Sequence, residues 1–451
     1  MLRFLATLLF GQGVGGVPLV TAERYWVERR MRWLADVFGT RRMIEAKVAT
    51  PGTFLEGVEL QGDESDARQL LLRIETHLGL PRGKIPIEVI ADERLPGAAG
   101  HYDREKNPII RVRRSLVGDL LPLTSTLVHE VMHDMLLGPG HLSGLEADHE
   151  PTTDLAMVFF GLGVFAANGT VRSESTRTGN WESWSIGRYG YLPSRAFGYA
   201  LALFAAWRNE VNPDWAKHLR LDAATTFRLG RKHLRSQDDC LFHPLRDVPR
   251  CDTWSVEKVV QELHSGGPVY RFAALQRMIE SSQGENWPPS ALAPLLRSRD
   301  EDIASAAASA AVRVPNIDDE LTRELIGALY HRAMPVRIAA ATVLGQLSMK
   351  LMDAREELLR LVADPDSELA AAAATAIGSF GPADGSQAKP LLQAHRRAMV
   401  GGLHHLEQAA IVALSKIHSD PRDALLKYYG QFDEEFVAWA LESYGEYVVS
   451  G

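Results

Sequence analysis

Pairs of adjacent alanines recur at a nearly fixed interval in the C-terminal part of this chain and constrain its fold more than any other feature. The first members of successive pairs are 33, 33, 33 and 37 residues apart, and a larger residue usually stands five positions further on. The pairs are Ala273-Ala274, Ala306-Ala307, Ala339-Ala340, Ala372-Ala373 and Ala409-Ala410. Small residues at one fixed point allow helices to pack closely, so the period predicts a solenoid of helical pairs.

Polar turns separate the repeating units. They read "RSRDED", "HRAMPVR" and "ADPDSE". The phrases "MPVRIAAATVLGQL" and "DPDSELAAAAATAIGSFG" resemble HEAT repeats, and the resemblance extends over roughly residues 268–420. We therefore expect an all-α, HEAT-like solenoid at 266–451 whose extended surface recruits a protein partner. The alternative is an irregular alanine-rich bundle, which would not require the constant period.

The first part of the chain mixes helical and strand patterns. Apolar residues at helical spacing predict helices at 21–39, 64–79, 120–137, 149–167 and 194–208. The segment "IPIEVI" at 85–90 predicts a strand, and residues 98–112 predict a hairpin with "DREKN" as its turn. Strands followed by helices predict an α+β domain at 1–235, joined to the repeat domain by a connector at 236–265.

The stretch "LVHEVMHDML", residues 127–136, places two histidines four residues apart around a glutamate. On a helix, His129 and His133 share one face, so both imidazoles can bind one metal ion. Glu130 lies at the flank of that face, where a carboxylate can take a proton from an activated water molecule. The neighbouring residues are apolar, and buried histidines need partners. The motif therefore predicts a zinc site with Glu130 as general base.

A catalytic zinc site needs a third protein ligand, and several downstream residues are candidates. The metzincin pattern would continue with a histidine at the position of Pro139, so that pattern fails. In the next predicted helix, Glu150 and Asp154 lie four residues apart on one face. Glu150 can then bind the metal while Asp154 accepts the N–H of a ligand histidine. His149 is the main rival for the third ligand, and His141 is a further alternative.

The motif at 129–133, followed by Glu150 and Asp154 on a second helix, resembles the thermolysin-type zinc peptidases, or gluzincins. Gluzincins hold extended substrate against an edge strand, which the predicted hairpin at 98–112 would supply. Two features depart from the pattern. Sixteen residues separate His133 from Glu150, a shorter interval than in thermolysin itself, and a histidine rather than an asparagine precedes Glu150. The resemblance implies zinc ligands His129, His133 and Glu150, general base Glu130, and Asp154 as the partner of a ligand histidine.

Residues 20–235 also resemble a family of uncharacterised bacterial proteins that carry the same motif. The resemblance lies in segments such as "WVERRMRWLADVFG" and "GYLPSRAFGYALALFAAW", and it implies no substrate. For the oxyanion of an amide hydrolysis, Tyr191 in "IGRYGYLPSRAFGYA" is a candidate donor; the alternative is an aromatic residue that packs against the next helix. We interpret Cys240 and Cys251 as thiols in the connector, the alternatives being a structural zinc site or a disulfide.

Charge and hydropathy bear on nucleic-acid binding, membrane insertion and cellular location. A net charge of −8 argues against general nucleic-acid binding, although local basic patches can still form. No long apolar run free of charges or glycines predicts a membrane span. Two cysteines suit a reducing compartment and favour a cytoplasmic location, with the short apolar N-terminus leaving export as the alternative.

These patterns predict a zinc metallopeptidase or amide hydrolase that acts on a protein or peptide. The HEAT-like repeats would recruit the substrate or a regulator. The alternative is a non-catalytic interaction scaffold in which the metal-binding unit is structural or degenerate. Hydrolysis of a small molecule or a cell-wall peptide is a third hypothesis.

Overall fold

The computed structural model describes residues 16–17, 19–59, 61–96, 98–104, 108–169, 192–282, 284–348, 353–381 and 388–417. By its internal contacts the chain divides into two units, Met1–Pro249 and Arg250–Gly451. This division lies within the predicted connector at 236–265, and the domain limits given above remain predictions. None of the helices in the described ranges has the length and apolar character needed to cross a membrane.

The first unit combines helices with a small sheet. Its helices are α1 (Thr21–Phe38), α2 (Thr40–Ile44), α3 (Pro51–Phe54), α4 (Glu64–Leu78), α5 (Leu120–Leu137), α6 (His149–Phe159), α7 (Gly163–Gly169), α8 (Ser194–Trp207) and α9 (Leu221–Ser236). Its strands are β1 (Ile87–Ile90), β2 (Gly100–Asp103) and β3 (Ile109–Arg113), and short 3-10 helices span Asp92–Arg94, Arg114–Leu116 and Asp214–His218. The predicted mixture of strands and helices is confirmed, and a zincin-like arrangement remains a proposal.

The sheet has β3 at its centre. β3 pairs with β1 in parallel and with β2 in antiparallel register, Tyr102 lying opposite Ile110. The strand expected at 85–90 and the hairpin expected at 98–112 are both confirmed. β2 is therefore an edge strand of this sheet, and it contacts α5.

The backbone groups on the outer side of β2 can be identified from the hydrogen-bond pattern. Arg113 N–H donates to the carbonyl of Ala99 at 3.1 Å, so these two opposite residues form a hydrogen-bonded pair. Such pairs alternate along an antiparallel ladder. The N–H and C=O groups of Gly100 and Tyr102 therefore point away from β3, towards the free edge of the sheet.

The predicted continuous helix at 149–167 is interrupted. α6 ends at Phe159 and α7 begins at Gly163, with Gly161 between them at a φ of 82°. Glycine adopts this conformation without strain, and its carbonyl here accepts a hydrogen bond from Ala49 N–H at 2.9 Å. A Cβ atom at this position would collide with the carbonyl of Lys47. The prediction was wrong because apolar periodicity does not reveal a contact with a distant segment.

The described part of the second unit consists of helices in sequential pairs. They are α10 (Val256–Ser265), α11 (Pro268–Ile279), α12 (Ala293–Leu296), α13 (Glu301–Ala310), α14 (Asp319–Ala328), α15 (Met334–Gln346), α16 (Ala354–Leu361), α17 (Ser367–Ser379), α18 (Ala388–Gly401) and α19 (His404–Lys416). Short 3-10 helices span Cys251–Thr253, Pro289–Ala291 and Ala311–Arg313. The second helices of the pairs, α11, α13, α15, α17 and α19, contact one another in succession.

Every alanine pair lies on one of these second helices, and the second alanine of each pair is fully buried. The contact between α15 and α17 leaves no room for a side chain at Gly345. A Cβ atom on Gly345 would lie only 2.6 Å from Cα of Ala376. Small residues at a constant interval thus allow successive helices to pack together, and the predicted array of helical pairs is confirmed in the described residues.

His395 on α18 makes the second unit sensitive to acid. Its side chain is fully buried, and burial lowers its pKa from 6.5 to about 4. Between these two values the unfolded chain binds a proton that the folded chain does not, so stability rises with pH across this window. At pH 5.5 we expect a loss of about 1 kcal/mol from this group relative to neutral pH. Urea unfolding of wild type and His395→Gln should show this loss in the wild type alone; equal losses in both proteins would contradict it.

Candidate metal centre

Two histidines and a glutamate from consecutive helices of the first unit converge on one point. His129 and His133 lie on α5, and Glu150 lies in the first turn of α6. His129 Nε2 is 3.0 Å from Glu150 Oε2, and His133 Nε2 is 3.4 Å from the same oxygen. The three ligand atoms all lie within 4.8 Å of one another. This group could hold a metal ion, and two imidazoles with one carboxylate are a donor set found in catalytic zinc sites.

The apolar residues of α5 bury the motif, as the sequence predicts. His129 and His133 are each 7% exposed, and the apolar side chains beside them on the helix are fully buried. Glu150 differs, because its side chain remains 31% exposed. The group is therefore enclosed by protein on the side of α5 and open to solvent on the side of Glu150.

The orientation of His129 is fixed by Asp154, the residue that the sequence predicts for this task. His129 Nδ1–H donates to Asp154 Oδ1 at 2.8 Å. The second oxygen of Asp154, Oδ2, accepts the backbone N–H of Leu192 at 2.8 Å. A carboxylate in this position selects the tautomer with an unprotonated Nε2. In the neutral imidazole the lone pair of His129 Nε2 therefore lies on the side of Glu150, and in the imidazolium the same atom carries an N–H that donates to Glu150 Oε2.

A residue that sequence reasoning missed, Thr153, plays the corresponding role for His133. The Thr153 hydroxyl donates to the carbonyl of His149 at 2.9 Å, so it can only accept from Nδ1–H of His133, 3.3 Å away. His133 Nε2 then also carries a lone pair. The signal was present in the sequence, since Thr153 follows Glu150 by three positions and shares its helix face.

The electrostatics of this group favour a cation at its centre. Two nitrogen lone pairs and a carboxylate oxygen at these distances repel one another unless positive charge lies among them. A proton on His129 Nε2 can supply this charge: burial alone would lower the pKa of His129, but hydrogen bonds to Asp154 and Glu150 raise it well above its usual value. A divalent metal can take the place of that proton. Burial alone would raise the pKa of Glu150, but both histidines hold it far below its usual range. The residues present therefore fit a divalent metal.

Asp148 anchors the start of α6 to α1 instead of capping it with its side chain. Trp26 Nε1–H and Arg30 Nε–H both donate to Asp148 Oδ2, at 2.8 and 2.7 Å. Burial alone would raise the pKa of Asp148, but these hydrogen bonds and the Arg30 charge lower it. Asp148 occupies the N-cap position of α6, and its carboxylate fixes the helix start against α1 and so positions Glu150.

Glu130 lies beside the three ligand residues and is 4% exposed. Its carboxylate accepts a hydrogen bond from the backbone N–H of Tyr102, on the outer side of β2. Burial raises the pKa of Glu130 to about 7, against the lowering effect of His129. A Cβ atom on Gly100 would lie 2.6 Å from Glu130 Oε1, so any other residue at this point of the strand would displace the carboxylate.

A buried carboxylate next to His133 ties the edge strand to α5. Asp134 accepts the hydroxyl hydrogen of Tyr102 at 3.0 Å and forms an ion pair with Lys84 at 2.7 Å. Tyr102 therefore contacts α5 twice, through its hydroxyl at Asp134 and its N–H at Glu130. These two contacts hold β2 in a fixed register beside the metal-binding residues, and no local pattern in the sequence indicates them.

The remaining candidates occupy different surroundings. His149 Nε2 lies 3.2 Å from Glu150 Oε1, whereas His129 and His133 contact Oε2, and His149 Nδ1–H donates to the carbonyl of Glu146. His149 is not part of the three-residue group. His141 packs edge-on against Phe38, with ring centroids 5.4 Å apart. Tyr191 lies outside the described residues.

The two cysteines of the connector are thiols. Cys240 is fully buried, and burial raises its pKa well above the ordinary value. Cys251 is partly exposed, and the two form no disulfide. His243 lies between these two cysteines in the sequence, and its Nε2–H donates to the carbonyl of Leu234 at 3.1 Å. None of the three belongs to a metal-binding group among the described residues.

Comparisons with known proteins identify the repeats. Residues 322–399 match the family model for HEAT repeats. A search of curated proteins found no match. Two engineered proteins of known crystal structure are similar: one is 22% identical, over 43% of this chain and 96% of its own, with a TM-score of 0.31. The other is 14% identical, over 94% and 99%, with a TM-score of 0.33.

The protein therefore contains HEAT repeats, which suggest protein partners. TM-scores as low as those of the two engineered proteins do not establish a shared fold. None of these matches is to a peptidase family, so the resemblance to gluzincins rests on the residues of the motif alone.

Proposed function

We propose that the first unit is a zinc-dependent amide hydrolase of the gluzincin type, acting on a protein or peptide. The observation that carries the proposal is the convergence of His129, His133 and Glu150 within 4.8 Å, with Glu130 beside them. The order of elements along the chain also supports it: the edge strand β2 is followed by α5, which carries His129 and His133, and then by α6, which carries Glu150. A zinc ion in this group supplies Lewis-acid chemistry: it lowers the pKa of a water molecule and polarises an amide carbonyl.

The roles of the protein groups follow from their positions. Glu130 accepts the proton of the attacking water on its carboxylate and passes it to the leaving nitrogen. A pKa of about 7 suits a group that must both accept and donate a proton near neutral pH. Asp154 and Thr153 orient the rings of His129 and His133 so that their Nε2 atoms would bind the metal. Tyr191 remains the proposed donor to the oxyanion.

The outer edge of β2 is the proposed substrate-binding surface. Gly100 and Tyr102 direct backbone groups toward this edge, and the N–H of Tyr102 is already bonded to Glu130. An extended peptide that pairs with the remaining groups would pass directly beside the general base. The HEAT repeats would recruit the protein substrate or a regulator through their extended surface.

Metal content tests the ligand assignment. We expect wild type to bind about one zinc ion per chain and Glu150→Ala to bind zinc at least about a hundred-fold more weakly, since even partners of ligands change affinity by up to that factor. His141→Ala is the matched control, because His141 lies outside the group. The measurement is competitive titration with a zinc chelator. Unchanged affinity in Glu150→Ala would exclude Glu150 as a ligand.

Hydrolysis is tested separately with the zinc-loaded full chain and a library of unstructured peptides, followed by mass spectrometry. Zinc-dependent cleavage supports the proposal. If the zinc-loaded protein leaves all peptides intact but captures a protein partner through the repeats, the alternative is favoured. In that alternative, supported by the HEAT-repeat match, the chain is an interaction scaffold with a structural metal site.

A further inference from the structure

A cluster of four cations lies on one face of α9, a helix that contributes no residue to the metal centre. Arg228, Arg231, Lys232 and Arg235 follow one another at helical spacing, so their side chains share a face. Together with Ser236 they line a surface depression of about 340 Å³. Three of the four are exposed, and Arg231 is partly buried.

Within the described residues, no carboxylate forms an ion pair with any of these four cations. Most arginines of the first unit with low exposure pair with an acid, as Arg24 does with Glu28. The four cations of this cluster form no such pair: Arg228 bonds only to groups on its own helix, and Arg231 lies over the Phe227 ring. The charge of Glu210 acts on Arg231 without forming an ion pair with it. Both of its oxygens are already engaged, by Arg208 and Trp215.

Repulsion among these four cations destabilises α9 as long as no anion lies between them. Like charges three or four positions apart destabilise a helix by about 0.2–0.5 kcal/mol each, and the cluster contains four such pairs. The helix dipole favours cations only in the last turn, which accounts for Arg235 but not for Arg228. Burial and the nearby Arg235 charge lower the pKa of Arg231, as expected where positive charge accumulates.

We propose that this face of α9 is a binding site for a small polyanion that carries two or more phosphate groups. Arginine forks bind phosphate oxygens in pairs, and three of the four cations are arginines. The depression has the size of a small-molecule site. A duplex nucleic acid would need a longer basic surface, and the chain carries a net charge of −8.

The test is calorimetric titration of the full chain with inorganic tripolyphosphate at low salt, with orthophosphate as the single-group comparison. We expect tripolyphosphate to bind clearly more tightly. The double variant Arg231→Gln/Arg235→Gln should weaken it at least about tenfold, because charge-assisted hydrogen bonds are lost. The control Arg41→Gln/Arg68→Gln removes two exposed, ion-paired arginines elsewhere and should leave affinity unchanged. Thermal unfolding verifies that both double variants are folded.

Two further titrations identify where the phosphate binds and which kind of molecule carries it. Repeating the titration on Glu150→Ala removes heat from chelation of a bound metal, and binding should persist there. Vesicles with phosphorylated inositol headgroups distinguish a lipid source of the phosphates from a free one. Equal binding of tripolyphosphate by wild type and Arg231→Gln/Arg235→Gln would overturn the proposal. So would tighter binding of duplex DNA or an acidic peptide through the same arginines.

Discussion

Replacing Glu130 with glutamine should leave zinc bound and reduce amide hydrolysis by about a hundred- to ten-thousand-fold, the usual contribution of a general base. Glutamine has the same size, and its side-chain oxygen can still accept the Tyr102 N–H that holds the carboxylate in place. It cannot accept the proton of the attacking water. The decisive readout is therefore kcat for a cleaved peptide, measured together with zinc content on the same preparation.

The matched control for this variant is Glu75→Gln. Glu75 is another fully buried glutamate of the first unit, and its carboxylate accepts the backbone N–H of Gly83 at 2.6 Å. Its replacement removes the same charge without touching the metal-binding group, so kcat should be unchanged in the folded protein. Full turnover in Glu130→Gln would exclude Glu130 as the base. Loss of zinc from that variant would instead assign Glu130 a role as ligand.

Local spacing explains why much of the metal centre could be predicted from the sequence. His129 and His133 share a helix face, and so do Glu150 and Asp154, because each pair is four residues apart. Burial of α5 followed from its apolar residues. The structure brings the two helices together and adds the hydrogen bond from His129 to Asp154 that the spacing suggested. The roles of these residues in catalysis remain predictions.

The contacts that could not be predicted join segments far apart in the chain. Asp134 receives hydrogen bonds from Tyr102 and Lys84, which precede it by 32 and 50 residues. The break of the predicted helix at Gly161 depends on the chain at Lys47 and Ala49. No periodic pattern carries this information, since it arises only when the tertiary structure places these segments side by side.

The repeat region was more predictable because its contacts are regular. The second helices of successive pairs contact one another in order, so a constant interval in the sequence corresponds to a regular contact between neighbouring repeats. Gly345 extends the same rule, since even a methyl group there would meet Ala376. The basic face of α9 had no such signal, because four cations at helical spacing are ordinarily solvated and ion-paired.

The largest effect on stability is expected from Arg24, which lies in a buried charge cluster of the first unit. Arg24 is 1% exposed and Glu28 is fully buried. The guanidinium forms ion pairs with Glu28 at 3.4 Å and Asp239 at 3.2 Å. Glu28 also accepts the Tyr199 hydroxyl hydrogen and the backbone N–H of Leu241. Burial raises the pKa of Glu28, against the lowering effect of Arg24.

Arg24→Met should therefore lower the free energy of unfolding of the first unit by about 3–5 kcal/mol, because two buried carboxylates lose their cation. Urea unfolding at neutral pH measures the loss. Arg68→Met is the matched control: its ion pair with Glu64 is exposed, and its removal should cost less than about 1 kcal/mol.

Adding Glu28→Gln to Arg24→Met removes one of the uncompensated charges and should recover part of the stability. This recovery distinguishes an electrostatic cause from a simple loss of packing, since glutamine has the size of glutamate and fills the same space. If the double variant were no more stable than Arg24→Met, the cost would belong to the missing side-chain volume. The ion pairs would then have no measurable part in holding α1 against the segment around Asp239.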